Sequence, residues 1–219
     1  MQTPFKDLLL THGKDKLNTF TKYPSILTLH NLGDRGALLE TFTTSLDGEE
    51  MFATEKIDGT NARILIMGNE YIIGSRENLL HYKDEMFYST DLDIVEGLKN
   101  IFKNDFGSYY SKDFPLCVLY GEFYGGKVHS QSKQYGTSKV GFRLFDVALY
   151  PKEHLAVLNL ERDKISYWRE HETSDGLKYG QNFITKEEAK QMFAEFDFVP
   201  EIPFKLGDMS HETIYRNMK

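Results

Sequence analysis

The sequence predicts an α+β fold rich in antiparallel strands. Two observations lead there: several short apolar stretches are separated by tight turns, and only two segments carry a helical apolar stripe with a start signal. A third supports a packed core, because 40% of the 219 residues are hydrophobic and 14% are aromatic. No internal repeat, low-complexity tract or Pro/Gly/Ser linker interrupts the chain, and its six prolines are dispersed, so one domain is expected over residues 1–219.

The elements follow in chain order. Residues 51–58 read as a strand, with Phe52, Thr54, Lys56 and Asp58 on one face and Ala53, Glu55 and Ile57 on the other, so that Lys56 and Asp58 project together. Residues 62–67 and 71–74 form a hairpin about Gly68-Asn69, and Ser75-Arg76 stands at its end. The stripe of Leu92, Val95, Leu98 and Phe102 predicts a helix over 91–103 with Thr90 or Asp91 as its cap. The apolar run 116–120 predicts a strand buried on both faces that delivers Glu122 at its end, and 140–150 is a strand of the same kind. Thr185 and Glu188 make a capping-box pattern ahead of Ala189, Met192, Phe193 and Phe196, and 199–204 reads as one more strand.

Composition narrows the classes of function. The single cysteine, Cys117, lies in an apolar run, which excludes a disulfide scaffold or thiolate metal cluster and makes it a small core residue. No apolar stretch approaches the length of a bilayer span and no secretory start is present, so the expectation is a cytoplasmic or other intracellular soluble protein without a membrane partner. The seven histidines form no close cluster with Cys or acids and most of them read as surface residues, and no Walker loop is present. The net charge of -7 argues mildly against nucleic acid. Between Tyr120 and Arg143, however, Lys127, Lys133, Lys139 and Arg143 are opposed only by Glu122, with Tyr124, Tyr135 and Phe142 interleaved. That strip reads either as a contact for a nucleic-acid backbone or as a solvated loop with scattered lysines.

The most informative stretch is Glu55-Lys56-Ile57-Asp58-Gly59-Thr60-Asn61. Taken alone, Lys-x-Asp-Gly describes a strand ending in an Asp-Gly turn with a solvent-facing lysine. It is followed in order by Ser75-Arg76, Tyr120-Gly121-Glu122-Phe123 and Phe142-Arg143-Leu144-Phe145-Asp146-Val147, and preceded by Lys22-Tyr23-Pro24-Ser25-Ile26. This ordered set resembles the motifs of the covalent nucleotidyltransferases, the polynucleotide ligases and capping enzymes, and within them the type 2 ATP-dependent RNA ligases.

The resemblance implies an antiparallel-rich nucleotidyltransferase fold, the ATP-grasp-like adenylation domain of ligases. It implies ATP as nucleotide, magnesium or manganese as metal with no ligand residue assigned, and nicked or broken RNA as partner. Lys56 would attack the α-phosphorus of ATP and carry AMP as a phosphoramidate. Arg76 would help hold its amine neutral, Asp58 would orient Lys56 or place a metal, and Asn61 would lie near the strand end to be sealed. Glu122 would accept from the ribose hydroxyls, Phe145 would stack on adenine, and Glu55 would lie along the adenine edge through its backbone.

Two further motifs of these enzymes, an acid-Gly-apolar strand and a Lys-x-Lys strand that holds the α-phosphate, are not found before Lys219; Asp175-Gly176-Leu177 reads as a turn. The expectation is therefore an adenylation domain lacking its C-terminal strands, which a separate C-terminal segment would complete. Two other readings stay open: a degenerate nucleotidyltransferase that binds nucleotide or RNA without sealing it, and a DNA ligase. Thr60-Asn61 and the type 2 resemblance favour RNA.

Overall fold

A computed structural model describes residues 4–26, 28, 30–43, 53–83, 85–88, 93–102, 109, 111–126, 128, 135, 139–171 and 180–202. In chain order its elements are α1 (Pro4–His12), α2 (Lys14–Thr21), β1 (His30–Leu32), β2 (Leu38–Phe42), β3 (Ala53–Thr54), β4 (Thr60–Met67), β5 (Glu70–Ser75), β6 (Leu79–Tyr82) and β7 (Glu85–Met86). There follow α3 (Ile94–Phe102), β8 (Leu116–Gly125), β9 (Val140–Tyr150), a 3-10 segment (Lys152–Asn159), α4 (Arg162–Glu170), α5 (Lys186–Met192) and β10 (Glu201–Ile202). The fold is mixed α/β, and every ladder between these strands is antiparallel. The chain divides into two compact units: Met1–Pro24 with Ile57–Val199, and Ser25–Lys56 with Pro200–Lys219.

The larger unit is a six-stranded sheet in the order β7-β6-β5-β4-β8-β9. Its register is set early by the β4–β5 hairpin, where Met67 pairs with Glu70 and Gly68 takes φ 61°, the left-handed conformation that a two-residue loop needs at its first position. Alternate residues then face two cores. Ala62, Ile64 and Ile66 of β4 join Cys117, Leu119 and Phe123 of β8 beneath α3 and α5. Leu65 and Met67 join Leu116, Val118 and Tyr120 beneath α1, α2, the 3-10 segment and α4. Helices on both faces explain why β4 and β8 read as unbroken apolar runs although the sheet is antiparallel. Cys117 is fully buried in the first core, as its surroundings in sequence suggested, and burial pushes its thiol up.

The smaller unit pairs β1 with β2 and β3 with β10. Here the expected strand 51–58 is corrected: the ladder holds only Ala53–Thr54, residues 55–58 join none, and 51–52 lie outside the described residues. Glu55 still donates its amide to the carbonyl of Pro200 at 3.1 Å, but proline has no N–H to return the bond, and the ladder stops there.

Other elements differ less. The helix expected over 91–103 spans α3, its proposed caps Thr90 and Asp91 lie outside the described residues, and Asp93 receives the Gly97 amide at 2.8 Å. Thr185 and Glu188 form the expected capping box of α5, and β10 falls within the strand expected over 199–204, of which 203–204 lie outside the described residues. The helices α1, α2 and α4 were not foreseen. Leu17 with Phe20, and Ile165 with Trp168, are each an apolar pair three residues apart in an otherwise polar segment, so their stability comes from docking on the second core. Two histidines are exceptions to the surface reading: His81 and His154 are buried, the latter edge-on to Trp168 at 5.4 Å.

Candidate functional site

The sheet register gathers several of the motif residues at one end of the larger unit. Asn61 on β4 pairs with Glu122 on β8, and Glu122 pairs with Arg143 on β9. On the other side the amide of Arg76 donates to the carbonyl of Asn61 at 3.0 Å, extending the β4–β5 ladder one residue past Ala62 and Ser75. Arg76, Asn61, Glu122 and Arg143 thus form one row across four chain segments. Directly paired residues stand about 5 Å apart, close enough to engage one small ligand. Asn61, Glu122 and Arg143 are half-buried, and Oδ1 of Asn61 is a buried acceptor with no partner among the described residues.

Phe145 reaches the same face through a bulge. Tyr120 pairs with Asp146 and the next residue, Gly121, with Leu144, so Phe145 is an extra residue in β9. Leu144 and Val147 enter the first core while Phe145 packs against the second, and Asp146 turns to that same side, where it accepts a hydrogen bond from the Tyr23 hydroxyl. Burial raises the Asp146 carboxyl above the usual carboxylate range, and the Tyr23 hydrogen bond opposes that rise. The sequence carries a trace of the bulge: apolar residues alternate at 142 and 144, then at 147 and 149.

Gly59 explains part of the Lys-x-Asp-Gly pattern. A Cβ there would stand 2.4 Å from the carbonyl oxygen of Phe123 and 3.0 Å from both Glu122 Cγ and Tyr124 Cβ. Only glycine lets this turn lie against the strand that carries Glu122. The neighbouring Asp58 is half-buried, with its amide 3.4 Å from the Tyr135 hydroxyl. Tyr135 packs edge-on to Tyr124 at 5.1 Å, and Arg143 lies over the Tyr124 ring at 5.4 Å. Of the basic strip, Lys139 is exposed, and Lys127 and Lys133 lie outside the described residues.

Arg76 is exposed, and its Nε lies 3.8 Å from the equally exposed Glu77 carboxylate, a pairing of little strength in water. Glu77 is held below its ordinary carboxylate range chiefly by the hydrogen bond from Lys22, at 2.7 Å. A cation that sequence reasoning passed over is Arg63, fully buried two residues along β4 from Asn61 and on the same face. Burial pulls its guanidinium down to about 10. It donates to Oδ1 of Asn18, whereas Nε and Nη1 have no partner among the described residues. Arg63 crosses the space left by Gly74, where a Cβ would meet its Nε at 2.9 Å.

Glu55 and Lys56 belong to the smaller unit and are described there alone. Glu55 is half-buried and tied to Pro200, and Lys56 is exposed. The expectation that Lys56 and Asp58 share a strand face loses its basis, since neither lies in a strand. Among the described residues no three His, Cys, Asp or Glu side chains gather as a metal cage. A surface cavity of about 330 Å³ is lined by Thr19, Lys22, Arg162, Asp163, Ser166 and Arg169, none of them in the row. Among the described residues no helix is long and apolar enough to cross a membrane.

Comparison with known proteins adds three findings. The sequence model of the family described as RNA ligase matches residues 49–216. No curated protein sequence matches. Among solved structures, an RNA ligase of Naegleria gruberi with PPi is similar at 16% identity and TM-score 0.39, covering 74% of this chain and 39% of that one. Mutants of the same ligase match comparably: one with ATP and Mn at 15% identity and TM-score 0.39, covering 74% of this chain and 38% of its own, and one with AMP and Mn at 15% and 0.39, covering 75% and 39%. The chain thus spans about two fifths of the length of the ligases it matches.

Proposed function

The chain belongs to the RNA ligase family, and from that premise we propose that it carries the adenylylation chemistry of an ATP-dependent RNA ligase, with Lys56 as nucleophile. The neutral amine of Lys56 attacks the α-phosphorus of ATP; a P–N bond forms, the bond to pyrophosphate breaks, and the amine gives up a proton. A 5′-phosphate of RNA then takes the AMP from Lys56, and an adjacent 3′-hydroxyl displaces AMP to seal the strand. RNA is preferred to DNA because the matched family is that of RNA ligases.

The observation that carries this reading is the row Arg76–Asn61–Glu122–Arg143 with Phe145 on the same face. Its donors and acceptors suit an adenosine. The Glu122 carboxylate and Oδ1 of Asn61, which has no partner among the described residues, accept from ribose hydroxyls, and the half-buried Phe145 ring supplies a stacking surface. Arg76, exposed at the edge, offers positive charge toward phosphates. Glu55 would contribute through its backbone at the adenine edge, and Asp58 would orient Lys56 or place a metal. Magnesium or manganese would supply charge neutralisation on the polyphosphate.

The test is mass spectrometry after incubation with ATP and either metal. One AMP should be added in an acid-labile form, and both Lys56→Ala and Lys56→Arg should abolish the adduct, since guanidinium stays protonated. Transfer of that AMP to a 5′-phosphorylated nicked RNA in preference to the DNA equivalent completes the reading. ATP binding without any adduct would replace it with a nucleotide-binding module.

A further inference from the structure

The β9 bulge frees Phe145 from a cross-strand partner, so the pleat of the sheet does not fix its ring. Something else must, and Tyr23 meets both residues of the bulge. Its ring lies 5.0 Å from that of Phe145 at an interplanar angle of 80°, and its hydroxyl donates to the carboxylate of Asp146. Edge-to-face pairs constrain ring orientation more than a plain apolar contact does.

Tyr23 is itself firmly mounted. It also packs edge-on to Tyr120 at 5.1 Å and to Phe183 at 5.7 Å. The backbone just before it is pinned twice: the Tyr120 hydroxyl donates to the Thr21 carbonyl at 2.9 Å, and Nε2 of Gln181 donates to the Lys22 carbonyl at 2.6 Å. A ring serving only to fill the core would need no polar anchor. Here the hydroxyl is spent on a half-buried acid adjacent to Phe145, a pairing that costs desolvation and gains direction.

We propose that Tyr23 is a positioning residue for nucleotide binding, holding the Phe145 ring at the angle at which it stacks on the adenine base. This rests on the ligase reading above, which gives Phe145 its role. It also gives the segment Lys22-Tyr23-Pro24 a physical task, because the end of α2 braces the bulge of β9.

The experiment measures ATP affinity by calorimetry and the labelling rate at saturating ATP, for the wild type, Tyr23→Phe, Tyr23→Leu, Phe145→Ala and the double variant Tyr23→Leu/Phe145→Ala, with thermal unfolding of each. Tyr23→Leu should weaken ATP by up to about tenfold, the upper end for one oriented aromatic pair, while leaving the saturating rate in place. Tyr23→Phe, which keeps the ring and loses the hydrogen bond to Asp146, should recover part of that loss. In the Phe145→Ala background Tyr23→Leu should have no further effect. Should Tyr23→Leu unfold, Tyr23→Met is read in the same way. An unchanged affinity, or an equal loss in both backgrounds, overturns this proposal while leaving the ligase reading standing. A wild-type protein that binds no adenine nucleotide overturns the ligase reading and this proposal with it.

Discussion

Glu122 on β8 stands opposite Asn61 on β4 and opposite Arg143 on β9, so one carboxylate is the midpoint of a polar row at the end of an otherwise apolar pair of strands. Removing it should separate binding from folding. Glu122→Ala should lower ATP affinity by about ten- to a hundredfold, the range for a hydrogen bond to a charged group. Unfolding free energy should change by less than about 1 kcal/mol, since the side chain is half-buried. Calorimetry and urea unfolding read the two quantities; a large stability loss with intact affinity would make Glu122 a structural residue.

Gly59→Ala should do the reverse and damage both. The added methyl meets the Phe123 carbonyl, a backbone atom that cannot swing away, and crowds Glu122 Cγ. A cost of about 1–3 kcal/mol is expected from the forced shift, with reduced AMP labelling because β8 carries Glu122. Wild-type stability in urea would mean that the 57–59 turn relaxes freely.

Arg63 and Asn18 should respond unequally. Asn18→Ala strands a buried guanidinium without a partner among the described residues, and a loss of about 3 kcal/mol or more is expected. Arg63→Met removes the buried charge and keeps much of the volume, so it should be nearly neutral or stabilising. Equal losses from the two changes, compared by denaturant midpoint, would show that Arg63 is fully compensated.

Asp146 should give the protein an acid-side stability term. Its folded pKa is raised by burial, so the folded state holds the proton more tightly than the unfolded chain does. That stabilisation is complete below the ordinary carboxylate value and is lost as pH rises through the raised one. Asp146→Asn should remove this slope from a plot of unfolding free energy against pH over that window. An unchanged slope would assign it to other carboxyl groups.

Much of the central sheet is legible along the chain because its signals are local. Gly68-Asn69 sets the β4–β5 hairpin, the apolar runs at 62–67 and 116–120 mark strands covered on both faces, and Thr185 with Glu188 caps α5. The helices α2 and α4 were harder to read, since a single apolar pair such as Leu17 and Phe20 becomes a helix face only when a sheet is there to receive it. The strand expected over 51–58 failed for a cause distant in sequence, the missing N–H of Pro200.

The motif residues divide in the same way. By itself the sequence singled out the side chains to which the proposed chemistry is assigned, Lys56, Arg76, Glu122 and Phe145 among them, because residue type and order along the chain are local properties. Only the tertiary structure decided that Arg76, Asn61, Glu122 and Arg143 share a row, that a bulge turns Phe145 onto the same face, and that Tyr23, 122 residues before Phe145, braces its ring. Register between strands distant in sequence is fixed by how two cores pack against opposite faces of one sheet, and a slip of one residue would have turned Glu122 to the other side.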